Sequence, residues 1–231
     1  MTTSKANYYI IDSSGRIKNL WRNNIILLVA LFVLIFIAPL LDHLNTFVAN
    51  TSLLLVVISG IYAADYQKRI FRFLLYLGFL VLISMTLSVF IPGSLTLDII
   101  PFILTTFSLI FSTIALISHV SQAKFVEKST VLCAINSYLL MGLTASIMFL
   151  MLDLVVPISF PGIDSGSGSL GSYIYFGFVT LSTLGYGDIT PGAPFARSLS
   201  IFVALAGQLY LVIVMALIIG KFLNTQNQKV N

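Results

Sequence analysis

Residues 180–191 read TLSTLGYGDITP and bring hydroxyls, glycines and one acid together in a chain that is otherwise strongly apolar. Gly185 and Gly187 flank Tyr186, and Asp188 follows directly. Glycine accepts backbone angles that a side chain would forbid. Consecutive carbonyl oxygens of this stretch can therefore point toward one axis, and the chemistry on offer is coordination by main-chain oxygen.

A short apolar segment, residues 172–182, precedes this stretch and must position it. At about 11 residues it is too short to cross a bilayer, which needs roughly 20, so we expect a helix that enters the membrane and returns. Non-helical backbone at that depth is tolerated only where protein or water surrounds it. Residues 183–188 should therefore line a wet cavity, and the negative end of the short helix dipole should favour a cation there.

The composition places these elements in lipid. The chain of 231 residues is 58% hydrophobic and only 9% charged, whereas soluble domains carry about 25% charged residues. We expect membrane spans near 24–41, 47–64, 70–91, 98–118, 130–153 and 197–220. The second is the weakest because polar residues dilute it, and the first has a signal segment as its alternative, although its apolar run is longer than such a segment needs.

The run TLSTLGYGD resembles the potassium-channel signature T-x-x-T-V-G-Y-G-D, with Leu184 where that family usually has Val. The resemblance implies an all-α membrane protein of six transmembrane helices, with a re-entrant pore helix and a selectivity filter between the fifth and sixth. In that family four subunits each give one loop, and its carbonyl oxygens replace the hydration shell of K⁺. The implied K⁺ ligands are the carbonyls of Thr183, Leu184, Gly185 and Tyr186 with the Thr183 hydroxyl, and Gly187 completes the outer mouth.

The same resemblance implies supports for the filter. Tyr175 lies thirteen residues before Asp188, where related channels place an aromatic donor, often Trp, that hydrogen-bonds the aspartate. We therefore take Asp188, Tyr175 and Thr180 as filter supports. The alternative for Tyr175 is a side chain packed at the membrane interface.

The last span carries the candidate gating residues. Gly207 lies 24 residues after Thr183, the separation at which the family has a bending glycine, and its alternative role is close helix packing. Leu211, Met215 and Ile219 share one helix face. That face could close the inner pore by dewetting, or it could be an ordinary packing stripe.

The chain divides into four predicted parts. Residues 1–23 form a cytoplasmic N-terminal segment, 24–128 a four-helix transmembrane domain, 129–224 the pore domain, and 225–231 a short cytoplasmic tail. The four-helix domain resembles a voltage-sensor-like domain without gating charges, because its fourth span holds no Lys or Arg. Since the energy of voltage sensing comes from charges moved through the field, we expect little or no intrinsic voltage dependence.

The basic residues predict the orientation. A cytoplasmic N-terminus places every Lys and Arg except Arg197 on the inside, as the positive-inside rule favours. Both termini are then cytoplasmic, and the Gly- and Ser-rich residues 155–171 form an exposed outer loop. The basic excess needs no nucleic acid as partner, and the compact build suggests a bacterial inner membrane as the plasma membrane.

The predicted function is a potassium-selective channel that conducts K⁺ passively and assembles as a homotetramer, or with a related chain, in the lipid bilayer. A non-selective cation channel is the first alternative, and a transporter or regulatory channel subunit is the second. No nucleophile with a base, metal-ligand cluster or phosphate-binding loop appears, so an enzyme is not expected. No cofactor is expected beyond K⁺ as the permeant ligand, and the sequence leaves the gating stimulus open.

Overall fold

The computed structural model describes residues 20–41, 46–64, 68–90, 95–123, 126–156, 158–163 and 170–230. Within these ranges the chain is helical and has no strand. The helices, numbered in chain order, are α1 Leu20–Ile37, α2 Thr46–Ala63, α3 Lys68–Phe90, α4 Leu95–Gln122, α5 Lys128–Val155, α6 Leu170–Leu181 and α7 Pro194–Val230. The last turn of α1 is a π-helix, Val33–Ile37, and a short 3₁₀ helix, Ala38–Leu41, continues it.

The prediction of an all-α membrane protein is confirmed. Among the described residues, five helices are long and apolar enough to cross a membrane: α1, α3, α4, α5 and α7. The second predicted span is also a helix, but its apolar part, Asn50–Ala63, is shorter than these five. Residues 1–19 of the predicted N-terminal segment lie outside the described residues, and the predicted tail continues α7 as helix to Val230.

The first four helices pack onto the second half of the same chain. Buried apolar side chains of α1 to α5 form one continuous core with α6 and α7. A polar contact joins α1 to α5: the Asn136 amide donates to the Asn24 carbonyl at 2.8 Å and to its side-chain oxygen at 3.1 Å, with both residues fully buried. An amide pair of this kind satisfies polar groups that lipid cannot.

Helix α6 lies between α5 and α7 because small residues let the backbones approach. A Cβ on Gly177 of α6 would stand 2.2 Å from Ser146 Oγ of α5, and one on Gly142 of α5 would stand 2.4 Å from Phe178. Helix α7 is tied to α5 by Tyr210, whose hydroxyl lies 2.6 Å from Ser137 Oγ and 2.6 Å from the Ala134 carbonyl. These contacts fix where the C-terminal end of α6 stands.

Candidate functional site

The segment after α6 is held by the last turns of that helix. The Thr183 N–H donates to the Thr180 carbonyl at 3.0 Å, and the Leu184 and Gly185 N–H groups both donate to the Val179 carbonyl, at 3.0 and 3.4 Å. In a trans peptide the N–H of one residue and the carbonyl of the residue before it point in opposite directions, and no peptide among the described residues is cis. The Thr183 and Leu184 carbonyls therefore both point away from the Val179 carbonyl at the end of α6.

The backbone of this segment alternates in handedness. Thr183, Gly185 and Gly187 have φ of +59°, +54° and +82°, whereas Leu184 and Tyr186 between them do not have positive φ. Positive φ is ordinary for glycine and uncommon for threonine. The two glycines of the sequence motif thus occupy positions that need them, and Thr183 takes the same conformation at a local cost.

The whole segment is open on this chain. Residues 182–188 are all exposed. No atom outside the neighbouring residues lies within 4 Å of a Cβ placed on Gly185 or Gly187. At these two glycines the segment is therefore not packed against the rest of the single chain.

The structure brings Tyr175 and Asp188 together. The Tyr175 hydroxyl donates to Asp188 Oδ2 at 2.7 Å, and its ring stacks on Tyr186 with centroids 6.5 Å apart and planes 4° from parallel. The hydrogen bond from Tyr175 lowers the pKa of the Asp188 carboxyl below its ordinary value of 3.8. Both partners sit at the exposed outer end of the segment, where the carboxylate stays ionised and accepts the bond.

Helix α7 faces the inner end of the same segment. The Gln208 side-chain amide donates to Thr183 Oγ1 at 3.2 Å. Leu211, Met215 and Ile219 follow at spacings of three, seven and eleven residues from Gln208, which places them on its helix face, and all three are exposed on this chain.

Gly207 packs directly against the end of α6. A Cβ there would stand 2.3 Å from the Leu181 carbonyl oxygen. This contact matches the close-packing role, and the hinge role of Gly207 stays a prediction. Thr180, the remaining sequence candidate, is half-buried and supplies the carbonyl that receives the Thr183 N–H.

Sequence reasoning missed the outer supports of this site. Residues 155–171 were expected to be an exposed loop, but Ser159, Phe160 and Ile163 are buried against α5 and α6. Asp153 at the end of α5 accepts the Tyr173 hydroxyl at 2.7 Å. Residues 164–169 of that loop lie outside the described residues. The one feature of the sequence that indicated a buried segment here is Phe160, a large apolar side chain inside a Gly- and Pro-rich stretch.

No group of three or more His, Cys, Asp or Glu side chains in the described parts of the chain could hold a metal ion. The oxygen atoms that this segment offers are instead its main-chain carbonyls, of which those of Thr183 and Leu184 point away from α6, and the Thr183 hydroxyl, which accepts a hydrogen bond from Gln208. Oxygens of this kind can replace the hydration shell of a cation.

A comparison with protein families agrees with this chemistry. Residues 137–224 match a family model described as "Ion channel". The matched part runs from within α5 through α6 and the alternating segment into α7, which is the part of the chain that carries the site. No curated protein and no solved structure matches the chain. The protein is thus an α-helical membrane protein whose second half is similar to an ion-channel domain.

Proposed function

We propose that the protein is a potassium-selective channel that conducts K⁺ passively through a carbonyl-lined filter formed by residues 183–187. The observation that carries the proposal is the orientation of the filter backbone. The N–H groups of Leu184 and Gly185 are tied back to Val179, so the carbonyls before them are free, and the alternating φ lets the following carbonyls continue on that side. A row of such oxygens can replace the hydration shell of K⁺.

Four copies of the chain complete the filter in this proposal. On one chain residues 183–188 are exposed, and a single row of oxygens cannot surround an ion. The exposed apolar face of α7 offers a surface for a second copy, with Phe202, Leu205, Leu209 and Val212 each 59% exposed or more. A homotetramer closes the ring and buries these side chains between subunits or against lipid.

The residues on either side of the filter either support the filter or line the inner pore in this proposal. Tyr175 and Asp188 brace the outer end, and Thr180 supplies a carbonyl to the inner turn. Gly207, Leu211, Met215 and Ile219 form the gating part of α7, with the last three lining the inner pore below Gln208. The chain lies in the plasma membrane, with both termini cytoplasmic as the basic residues favour.

The test is the reversal potential of the purified protein in a planar bilayer. With K⁺ and Na⁺ on opposite sides, a K⁺-selective pore reverses near the K⁺ equilibrium potential, which moves by about 59 mV for each tenfold K⁺ gradient. A reversal potential near zero under the same conditions identifies a non-selective cation channel. If protein that is folded and tetrameric carries no current, the proposal is contradicted.

A matched pair of variants assigns that current to the filter. Gly185→Ala places a side chain at φ +54°, which costs about 1–2 kcal/mol in each subunit. Within one chain no other atom lies within 4 Å of that Cβ, so the effect inside each subunit comes from the backbone angle. We expect Gly185→Ala to lose K⁺ selectivity and Gly220→Ala, which adds the same methyl to an open helical position, to keep it.

A further inference from the structure

Residues 158–163, which we call the outer clasp, hydrogen-bond to the chain just beyond the filter. The Gly192 N–H donates to the Ser159 carbonyl at 2.8 Å, and the Thr190 N–H donates to the Pro161 carbonyl at 3.2 Å. Both bonds join main-chain atoms, so they fix the position of the backbone irrespective of side-chain rotamers. The segment that leaves the filter is thereby tied to the loop between α5 and α6.

The clasp also lies close to Asp188, the residue directly after the filter. Gly162 has φ +105°, and a Cβ placed on it would stand 2.6 Å from the Asp188 carbonyl oxygen. A Cβ on Gly192 would stand 2.9 Å from the Pro161 ring. Both glycines are therefore required by close approach, and Gly162 by its backbone angle as well.

An aromatic side chain anchors the clasp in the pore domain. Phe160 is 1% exposed, and its ring centroid lies 5.3 Å from Phe149 of α5 and 5.2 Å from Phe176 of α6. Burial of a phenylalanine with such neighbours stabilises by about 2 kcal/mol or more. The clasp is thus held by the same core that holds α6.

A carboxylate provides the polar half of this anchor. Asp153 at the end of α5 accepts the Ser159 N–H at 2.8 Å and the Tyr173 hydroxyl at 2.7 Å. One side chain therefore joins α5, the clasp and the start of α6. Ile158, which directly precedes Ser159, has φ +65°, an angle that a β-branched residue keeps only when its surroundings impose it.

From these contacts we infer that the outer clasp is a positioning element for K⁺ selectivity, because it holds the main chain of the filter exit from Asp188 to Gly192 at a fixed place against α5 and α6. The inference rests on the proposed potassium-filter function. Tyr175 restrains Asp188 through its side chain, and the clasp restrains the backbone of the same residue. Selectivity among ions depends on holding ligands at fixed positions by groups that are themselves packed.

Three glycine-to-alanine variants test the inference with one chemical change. The readout is the thermal denaturation midpoint of the purified tetramer at increasing K⁺, with Na⁺ added to hold the ionic strength constant, because binding to the native state raises that midpoint. We expect Gly162→Ala to raise the K⁺ concentration needed for a given rise in the midpoint by roughly tenfold. Gly192→Ala meets only a proline ring and should raise it by about threefold, and Gly220→Ala should not change it.

The outcomes separate the two proposals. If K⁺ does not stabilise the wild type more than Na⁺ does, the filter proposal fails and the clasp loses its role with it. A second outcome is that K⁺ stabilises the wild type and that Gly162→Ala and Gly192→Ala need no more K⁺ than Gly220→Ala. The role of the clasp in selectivity is then refuted, and the filter proposal stands. Should Gly162→Ala fail to assemble, Gly192→Ala and Phe160→Leu decide, and bilayer K⁺/Na⁺ permeability ratios must follow the same order.

Discussion

At the scale of single residues, the hydroxyl of Tyr175 is the atom with the clearest testable role. Tyr175→Phe keeps the ring that stacks on Tyr186 and removes only the donor to Asp188. Loss of a partner that orients a ligand group typically weakens ion binding by tenfold or more. We expect the K⁺/Na⁺ permeability ratio of Tyr175→Phe to fall by about tenfold in bilayer recordings.

Tyr76→Phe is the matched control, because Tyr76 is exposed on α3 and its hydroxyl lies away from the filter.

The external pH provides a second readout. A carboxyl with a lowered pKa keeps its stabilising contribution above the ordinary value of 3.8 and loses it only as the pH falls through the lowered pKa. Selectivity in the wild type should therefore persist on acidification to about pH 4. In Tyr175→Phe, selectivity should be lost at a higher pH than in the wild type. If the wild type and Tyr175→Phe have equal selectivity and equal acid sensitivity, the Tyr175 hydroxyl does not support the filter.

The pairing of Tyr175 with Asp188 was accessible from sequence because the resemblance to the potassium-channel family places an aromatic donor thirteen residues before the aspartate. The glycine positions were accessible for the same reason, and the structure gives both of them positive φ. The contact between Gly162 and Asp188 was not accessible, because it joins two loops whose approach depends on the packing of Phe160 between α5 and α6. Glycine in a loop rich in Gly and Ser carries no signal that distinguishes a tight contact from a turn.

At the scale of the helices, apolar length predicted the seven main helices but overestimated the second span, whose apolar part Asn50–Ala63 is shorter than the five spanning helices. It also gave no information on the contacts that join the helices. The predicted re-entrant segment and α6 differ by two residues at the start and one at the end. No contact of Lys221 near the end of α7 was predicted from the sequence. The structure instead places the Lys221 ammonium on the C-terminal carbonyls of α4, 2.5 Å from Val120 and 2.7 Å from Ser121.

Lys221→Met tests whether this contact holds α7 against α4. An ammonium stabilises the unpaired carbonyls at a helix C-terminus. After discounting for partial exposure, its loss should cost about 1 kcal/mol, or roughly a fivefold increase in local opening. We expect hydrogen exchange, followed by mass spectrometry, to speed up by that factor at the ends of α4 and α7. Lys128→Met, at an exposed position on the first residue of α5, is the control, and equal exchange in the two variants would show that the contact contributes nothing.

At the scale of the whole molecule, the four-helix part and the pore part of one chain form a single packed body. Thr106 of α4 approaches the Met151 sulfur of α5 at 3.7 Å, Asn136 of α5 bonds Asn24 of α1, and Lys221 joins α7 to α4. The connection between α4 and α5 is only a few residues long. We therefore expect each four-helix domain to stay beside the pore helices of its own subunit, and any movement within it to reach α7 directly.

The charge distribution of this body predicts that membrane voltage does not drive such movement. Helix α4 contains no Lys or Arg, and the polar side chains buried among its described residues are the hydroxyls of Thr105, Ser108, Ser112 and Thr113. One charge moved through 100 mV is worth about 2.3 kcal/mol, and steep voltage gating uses roughly three to four charges per subunit. Helix dipoles supply only about half a charge at each end. The slope of the conductance–voltage curve, measured in symmetrical K⁺, should therefore correspond to less than about one charge per subunit. A slope equivalent to several charges per subunit would contradict this and would require the basic residues at the ends of α1 and α3 to cross the field.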